Sequence, residues 1–139
     1  MNIRAASEID FPEIRQIYLE SRRGSFHWAK TEEMNLEDFD RDTVEELIII
    51  AEEDSHILGF ASLYLPENFI HNLFVHPDFF GRGVGEQLLH TALTNLGRPV
   101  RLKCVSANHK AMKFYEKHGW KKIVEEGPSI EKYWVMEYK

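Results

Sequence analysis

A single cysteine, Cys104, stands among 139 residues, which excludes an internal disulfide and any thiolate metal cluster. The longest apolar runs, such as Leu47 to Ala51, are far too short to cross a bilayer. The first residues, M-N-I-R-A-A-S-E, lack the apolar core of a secretory leader. Bases are outnumbered 17 to 23, a net charge of −6, so generic nucleic-acid binding has no support. No internal repeat or low-complexity linker marks a domain boundary. These absences predict one soluble, cytoplasmic domain, residues 1–139, without a metal.

Hydrophobic residues make up 43% of the chain, enough for a real core. The charge is uneven. Residues 31–54 hold eleven acids against one base, Arg41, while residues 55–139 hold eleven bases against eight acids. Two surfaces of opposite sign follow. The acidic block reads either as a solvated helix and loop or as a field drawing in a cationic substrate.

Local patterning divides the chain into short elements. Ile3 to Ala5 reads as a strand, and Glu8 to Arg23 as a helix with Ser7 at its N-cap and Phe11, Ile14, Ile17 and Tyr18 on one face. Arg22, Arg23, Phe26, His27 and Trp28 border the link to an acidic helical segment carrying Met34, Leu36 and Phe39. Leu47 to Glu52, Ile57 to Leu65 and Phe69 to Val75 form an antiparallel meander, with Gly59 marking a bulge or a close approach. A helix from about Val84 stops at Gly97, and Val100 to Val105 is a strand. Asn108 to His118 is a helix closed by Gly119, and Trp120 to Glu125 and Lys132 to Tyr138 are the last strands. The unit strand Phe69–Val75, helix, strand Val100–Val105 is a right-handed parallel crossover. The fold class is α/β, a mixed sheet of about seven strands with four helices.

The most informative stretch runs from Ile70 to Leu89, I-H-N-L-F-V-H-P-D-F-F-G-R-G-V-G-E-Q-L-L. A buried strand enters a Pro turn, then a glycine-rich bend, then a helix. The first turn of a helix carries unpaired N–H groups and the positive end of the dipole, and glycines let a phosphate come close. An ATP-binding loop needs Lys and Ser/Thr after its last glycine, but Gly85 precedes Glu86 and Gln87. A dinucleotide fingerprint belongs after the first strand of a parallel fold, not late in a meander. Tight packing of the bend remains the plain alternative.

A second motif follows, N-H-K-A-M-K-F-Y-E-K-H-G-W. Asn108 and Tyr115 lie seven residues apart, about two turns, on one face. The meander, the V-H-P turn, the G-R-G-V-G bend and this helix, in that order, resemble the GNAT superfamily of N-acetyltransferases, which use acetyl-CoA. The resemblance implies transfer of the acetyl group directly to an amine of a small molecule or peptide. It implies that the loop Phe80, Gly81, Arg82, Gly83, Val84, Gly85 and Glu86 holds the pyrophosphate. Phe80 stands where the family has Gln or Arg. The backbone of Leu73, Phe74 and Val75 would receive pantetheine, with the Leu73 N–H polarising the thioester carbonyl. Tyr115 would be the general acid, and Asn108 a helix cap or a cofactor contact.

The family's carboxylate base maps to Phe69. His71, on the same strand face, is the candidate base instead, with Glu67 and a water chain as substitutes. His76 is read as a turn cap or a cofactor contact, and Cys104 as core filler. Phe26, His27 and Trp28 would line the acceptor mouth. The aromatics Tyr133, Trp134 and Tyr138 offer a surface to a second subunit, making a homodimer. A non-catalytic acyl-CoA sensor or regulatory module is the alternative function.

Overall fold

A computed structural model of the chain describes residues 1–25, 34–129 and 131–139. One seven-stranded sheet runs in the order β1-β2-β3-β4-β5-β7-β6. The strands are β1 (Asn2–Ala5), β2 (Leu47–Glu53), β3 (His56–Tyr64), β4 (Phe69–Val75), β5 (Val100–Val105), β6 (Lys121–Glu126) and β7 (Tyr133–Tyr138). Among the described residues, four helices accompany them: α1 (Phe11–Ser25), α2 (Asp38–Asp42), α3 (Val84–Thr94) and α4 (His109–Lys117). Every strand pair is antiparallel except β4–β5, so the α/β mixed sheet expected from the patterning is the observed fold.

The run Ile48-Ile49-Ile50 is continuous because both faces of β2 are covered. Ile48 and Ile50 join Ile14, Ile17, Tyr18, Phe39 and Phe60 under α1 and α2. Ile49 and Ala51 join Leu58, Leu63, Leu88, Leu89 and Ala92 under α3. Gly59 permits the close β3–β4 approach, since a Cβ there would meet the Phe74 carbonyl oxygen at 2.5 Å. The β2–β3 register also shifts between Ala51 and Glu52.

Three local expectations change. Glu8–Asp10 form a 3-10 turn before α1, where Asp10 accepts from the Ser7 N–H at 2.9 Å and from Arg4 at 2.8 and 2.9 Å. Arg22 and Arg23, read as bordering the link after the first helix, lie in the last turn of α1. Arg22 is buried, 3.0 Å from Asp38, with its guanidinium 3.9 Å from the Tyr18 ring centroid. It fastens α2 to α1 instead of lining a mouth. Finally, Tyr133, Trp134 and Tyr138 are half-buried, because β7 lies between β5 and β6 and is no sheet edge. Lys103, Lys122 and Arg98 cover their rings at 4.9, 5.2 and 4.6 Å. The open edge on that side is β6, where Ile123 and Val124 are exposed. Among the described residues, no helix is long and apolar enough to cross a membrane.

Asp38→Ala strands the buried Arg22 without its anion and should lower stability by about 3 kcal/mol in urea unfolding. A loss below about 1 kcal/mol would show that this pair does not tie α2 to α1.

Candidate active site

The parallel pair at the centre of the sheet is barely a pair. β4 and β5 match only at Phe69–Arg101 and Ile70–Leu102. Beyond that point β4 stays on β3 to Val75, and β5 stays on β7 to Val105. The sheet opens between them. A register shift opposite Ser62/Leu63 makes His71 the extra residue of a bulge, and a bulge bends and twists its strand where β4 turns away. The His76 N–H donates to the Leu58 carbonyl at 2.8 Å. Alternation along an antiparallel ladder then turns Phe74 toward β3 and leaves the N–H and C=O of Leu73 and the N–H of Val75 facing the opening, while the Val75 carbonyl accepts from the Ser21 hydroxyl of α1 at 3.3 Å. The Phe74 side chain packs with Tyr18 and Phe60 on the α1 side.

At the end of β4, His76 caps a short turn. Its Nδ1 accepts from the Asp78 N–H at 3.1 Å, and its Nε2 lies 2.6 Å from Glu20. The glycine bend follows. Gly81 and Gly83 have φ of +80° and +76°, the left-handed region that glycine enters at no steric cost. The first bond of α3 runs from the Gln87 N–H to the Gly83 carbonyl at 3.2 Å. Among the described residues, the N–H groups of Gly81, Arg82, Gly83, Val84, Gly85 and Glu86 have no protein acceptor. An ordinary helix start leaves about four such donors. Here the run of six sits on the positive end of the helix dipole.

Among the described residues, nothing stands within 4 Å of where a Cβ would project at Gly81 or Gly83, so the bend is open outward there. Gly85 differs, since a Cβ there would make ordinary contact with Phe114 and Val75 at 3.6 Å. The Arg82 guanidinium is 5.4 Å from the Phe79 ring centroid. Phe80 is exposed, and the Lys110 ammonium lies 4.5 Å from its ring centroid. Lys110 escapes a sequence reading because only the packing of α4 beside the bend brings the two together. A groove of about 480 Å³ adjoins the bend, lined by Gly83, Glu86, His90, His118 and Tyr138 among others.

Asn108 is the N-cap of α4, its side chain accepting the Ala111 N–H at 3.2 Å. Tyr115, on the same helix, packs edge-on to Phe114 and Trp120 at 5.3 and 5.9 Å. Its hydroxyl has no hydrogen-bond partner among the described residues. Burial pushes this phenol well above the usual tyrosine value, and Cys104 adds to the effect. Cys104 itself is buried in the core, and burial pushes its thiol up to about 11. It is protonated and inert at neutral pH.

His71 is 42% exposed at its side chain, with Nδ1 2.8 Å from the Glu46 carboxylate. The Glu46 hydrogen bond raises its pKa, against burial, with Asp42 adding to the rise. Glu46 also escapes local reading, because it stands just before β2 and reaches β4 across β3. Phe26, His27 and Trp28 lie outside the described residues. Among those described, no group of three or more His, Cys, Asp or Glu is placed to hold a metal.

Comparisons with known proteins bear on the family and the fold. Residues 11–120 match the acetyltransferase (GNAT) family. An Archaeoglobus fulgidus protein named an uncharacterized N-acetyltransferase is 30% identical over 135 residues, covering 83% of this chain and 89% of that one. The solution structure of the apo form of YjaB from Escherichia coli superposes with a TM-score of 0.81 at 23% identity, covering 99% of this chain and 96% of that one. The PaiA N-acetyltransferase of Thermoplasma acidophilum, crystallised with coenzyme A, gives a TM-score of 0.81 at 21% identity, covering 99% and 98%.

A carboxylate at the mouth of the bend would repel a diphosphate. Gly83→Glu should therefore abolish the rise in melting temperature that CoA produces in the parent chain, and an undiminished rise would place CoA elsewhere.

Proposed function

We propose a division of labour in this site from one premise: the chain belongs to the acetyltransferase (GNAT) family, acetyl-CoA-dependent N-acyltransferases. The carrying observation is the run of unpaired amides from Gly81 to Glu86 at the foot of the β4–β5 opening. Those amides receive the diphosphate of acetyl-CoA, with Arg82 adding charge. Lys110, held over the Phe80 ring, supplies a cation where the loop has Phe80. Leu73 and Val75 offer backbone groups to pantetheine as a missing strand would. The Leu73 N–H binds the thioester oxygen, whose charge grows as the carbonyl is attacked. Asn108 starts α4 and so fixes where Tyr115 stands.

The reaction needs a neutral amine. His71 takes one proton from the incoming ammonium. The amine nitrogen then bonds to the acetyl carbon, the carbon–sulfur bond breaks, and the CoA thiolate takes a proton from the Tyr115 hydroxyl. The second proton lost by nitrogen restores the phenol. In water a phenol near 10 is a weak donor to a thiolate near 8.5. Burial raises thiols and phenols alike, so the gap between them stays comparable to that in water and the return of the second nitrogen proton to the phenolate draws the transfer forward. Cys104, a thiol beside Tyr115, is pushed up to about 11 by burial, and a thiolate forming in this cleft meets the same low polarity.

The acceptor is an amine of a small molecule or a peptide, and the acidic segment 31–54 favours a cationic one. Phe26, His27 and Trp28 are assigned to its mouth. A cytoplasmic setting and pairing with a second copy through the open β6 edge belong to the same reading. The family gives no support to a non-catalytic acyl-CoA-binding module. Tyr115→Phe should lower kcat by about a hundredfold with little change in CoA affinity, read as free thiol against a panel of amines. Unchanged turnover would remove the acid role.

A further inference from the structure

Glu46 sits at a turn built to aim it inward. Glu45 before it has φ of +63°, a left-handed conformation that is uncommon for a residue with a side chain. The Glu46 N–H bonds to the Thr43 carbonyl at 3.1 Å. The side chain then reaches across the sheet face to β4 and is only 8% exposed. One oxygen, Oε2, lies 2.8 Å from His71 Nδ1. The other, Oε1, is buried with no partner among the described residues. A buried carboxylate normally shares its charge among several donors. This one has a single partner among the described residues, the imidazole. Its field therefore acts on the ring undiluted.

His71 in turn is the bulge residue at the point where β4 leaves β5. It lies two residues from Leu73, about 7 Å along the strand. We propose that Glu46 is a positioning residue for the acetyl transfer, holding His71 as the Nδ1–H tautomer so that Nε2 takes the proton of the incoming amine. This rests on His71 being the base. The proton leaves the ammonium nitrogen for Nε2, producing an imidazolium paired with the Glu46 carboxylate. It then passes to solvent from the exposed ring. The charged groups facing His71 are Glu46, ahead of β2, and Asp42, the last residue of α2, which adds a smaller upward pull on the ring. All of them favour the protonated ring, so the neutral, proton-accepting form predominates only above the ordinary histidine pKa of about 6.5.

The test needs no knowledge of the natural acceptor. NMR titration of the ring nitrogens should show the Nδ1–H tautomer of His71 and a midpoint above about 6.5. Glu46→Gln keeps the side chain's size and removes its charge. It should bring that midpoint down to the ordinary value or below and mix the tautomers, with CoA affinity unchanged. Thiol release from acetyl-CoA, with spermidine as the probe amine, should fall between about ten- and a hundredfold in Glu46→Gln and at least as far in His71→Ala. A His71 titration and tautomer unchanged in Glu46→Gln would overturn the positioning role while leaving His71 as base. Full thiol release in His71→Ala would overturn both readings, even if the titration moved as expected. Neither variant touches the amides of residues 81–86, so CoA binding reports separately on folding.

Discussion

The whole site depends on two parallel strands that part after two residue pairs. A parallel pair in the middle of a sheet ordinarily continues its ladder, because unpaired backbone groups lose the hydrogen bonds they had in water. Here β4 keeps its ladder to β3 and β5 keeps its ladder to β7, and the two sets of partners diverge. The bulge at His71 starts the turn. Leu73 is thereby left with its backbone donor and acceptor, and Val75 with its donor, pointing into the opening, since the Val75 carbonyl is taken by Ser21. A linear molecule carrying amides along its length answers that need.

The second half of the site follows from chain connectivity. A parallel pair requires a crossover, and the crossover helix α3 must begin where β4 ends. The chain therefore delivers a helix N-terminus to the mouth of the opening. Glycines at 81 and 83 adopt left-handed backbone there and lengthen the run of unpaired donors beyond what a simple helix start presents. Extended donors and acceptors thus lead to a concentrated positive end, the arrangement that a chain of amides ending in a diphosphate matches. On the far side, α4 sets Tyr115 against Cys104 and Trp120. The low polarity that keeps both groups protonated is the same condition under which a departing thiolate needs a proton.

Much of this was written locally in the sequence. Alternation and the Ile48–Ile50 run marked the central strands, and Gly81 and Gly83 marked the bend because backbone there needs left-handed angles. Asn108 and Tyr115 shared a helix face by spacing alone. What local pattern did not carry is the outcome of register and topology. Glu46 and His71 are 25 residues apart, and only the β2–β3–β4 register brings them together. Arg22 reads as one of the residues bordering the link after the first helix until Asp38 is placed beside it. Lys110 and Phe80 are neighbours only because α4 packs near the bend. The last strand inserts between β5 and β6, so its aromatics are covered where a strand in chain order would have exposed them.

A crystal structure with CoA bound tests the central claim most directly. The account predicts amide nitrogens of residues 81–86 about 3 Å from the diphosphate oxygens, pantetheine bonded to Leu73 and Val75, and sulfur beside the Tyr115 hydroxyl. A β4–β5 opening closed by continued strand pairing, with those amides bonded to protein and CoA bound at another surface, would contradict it.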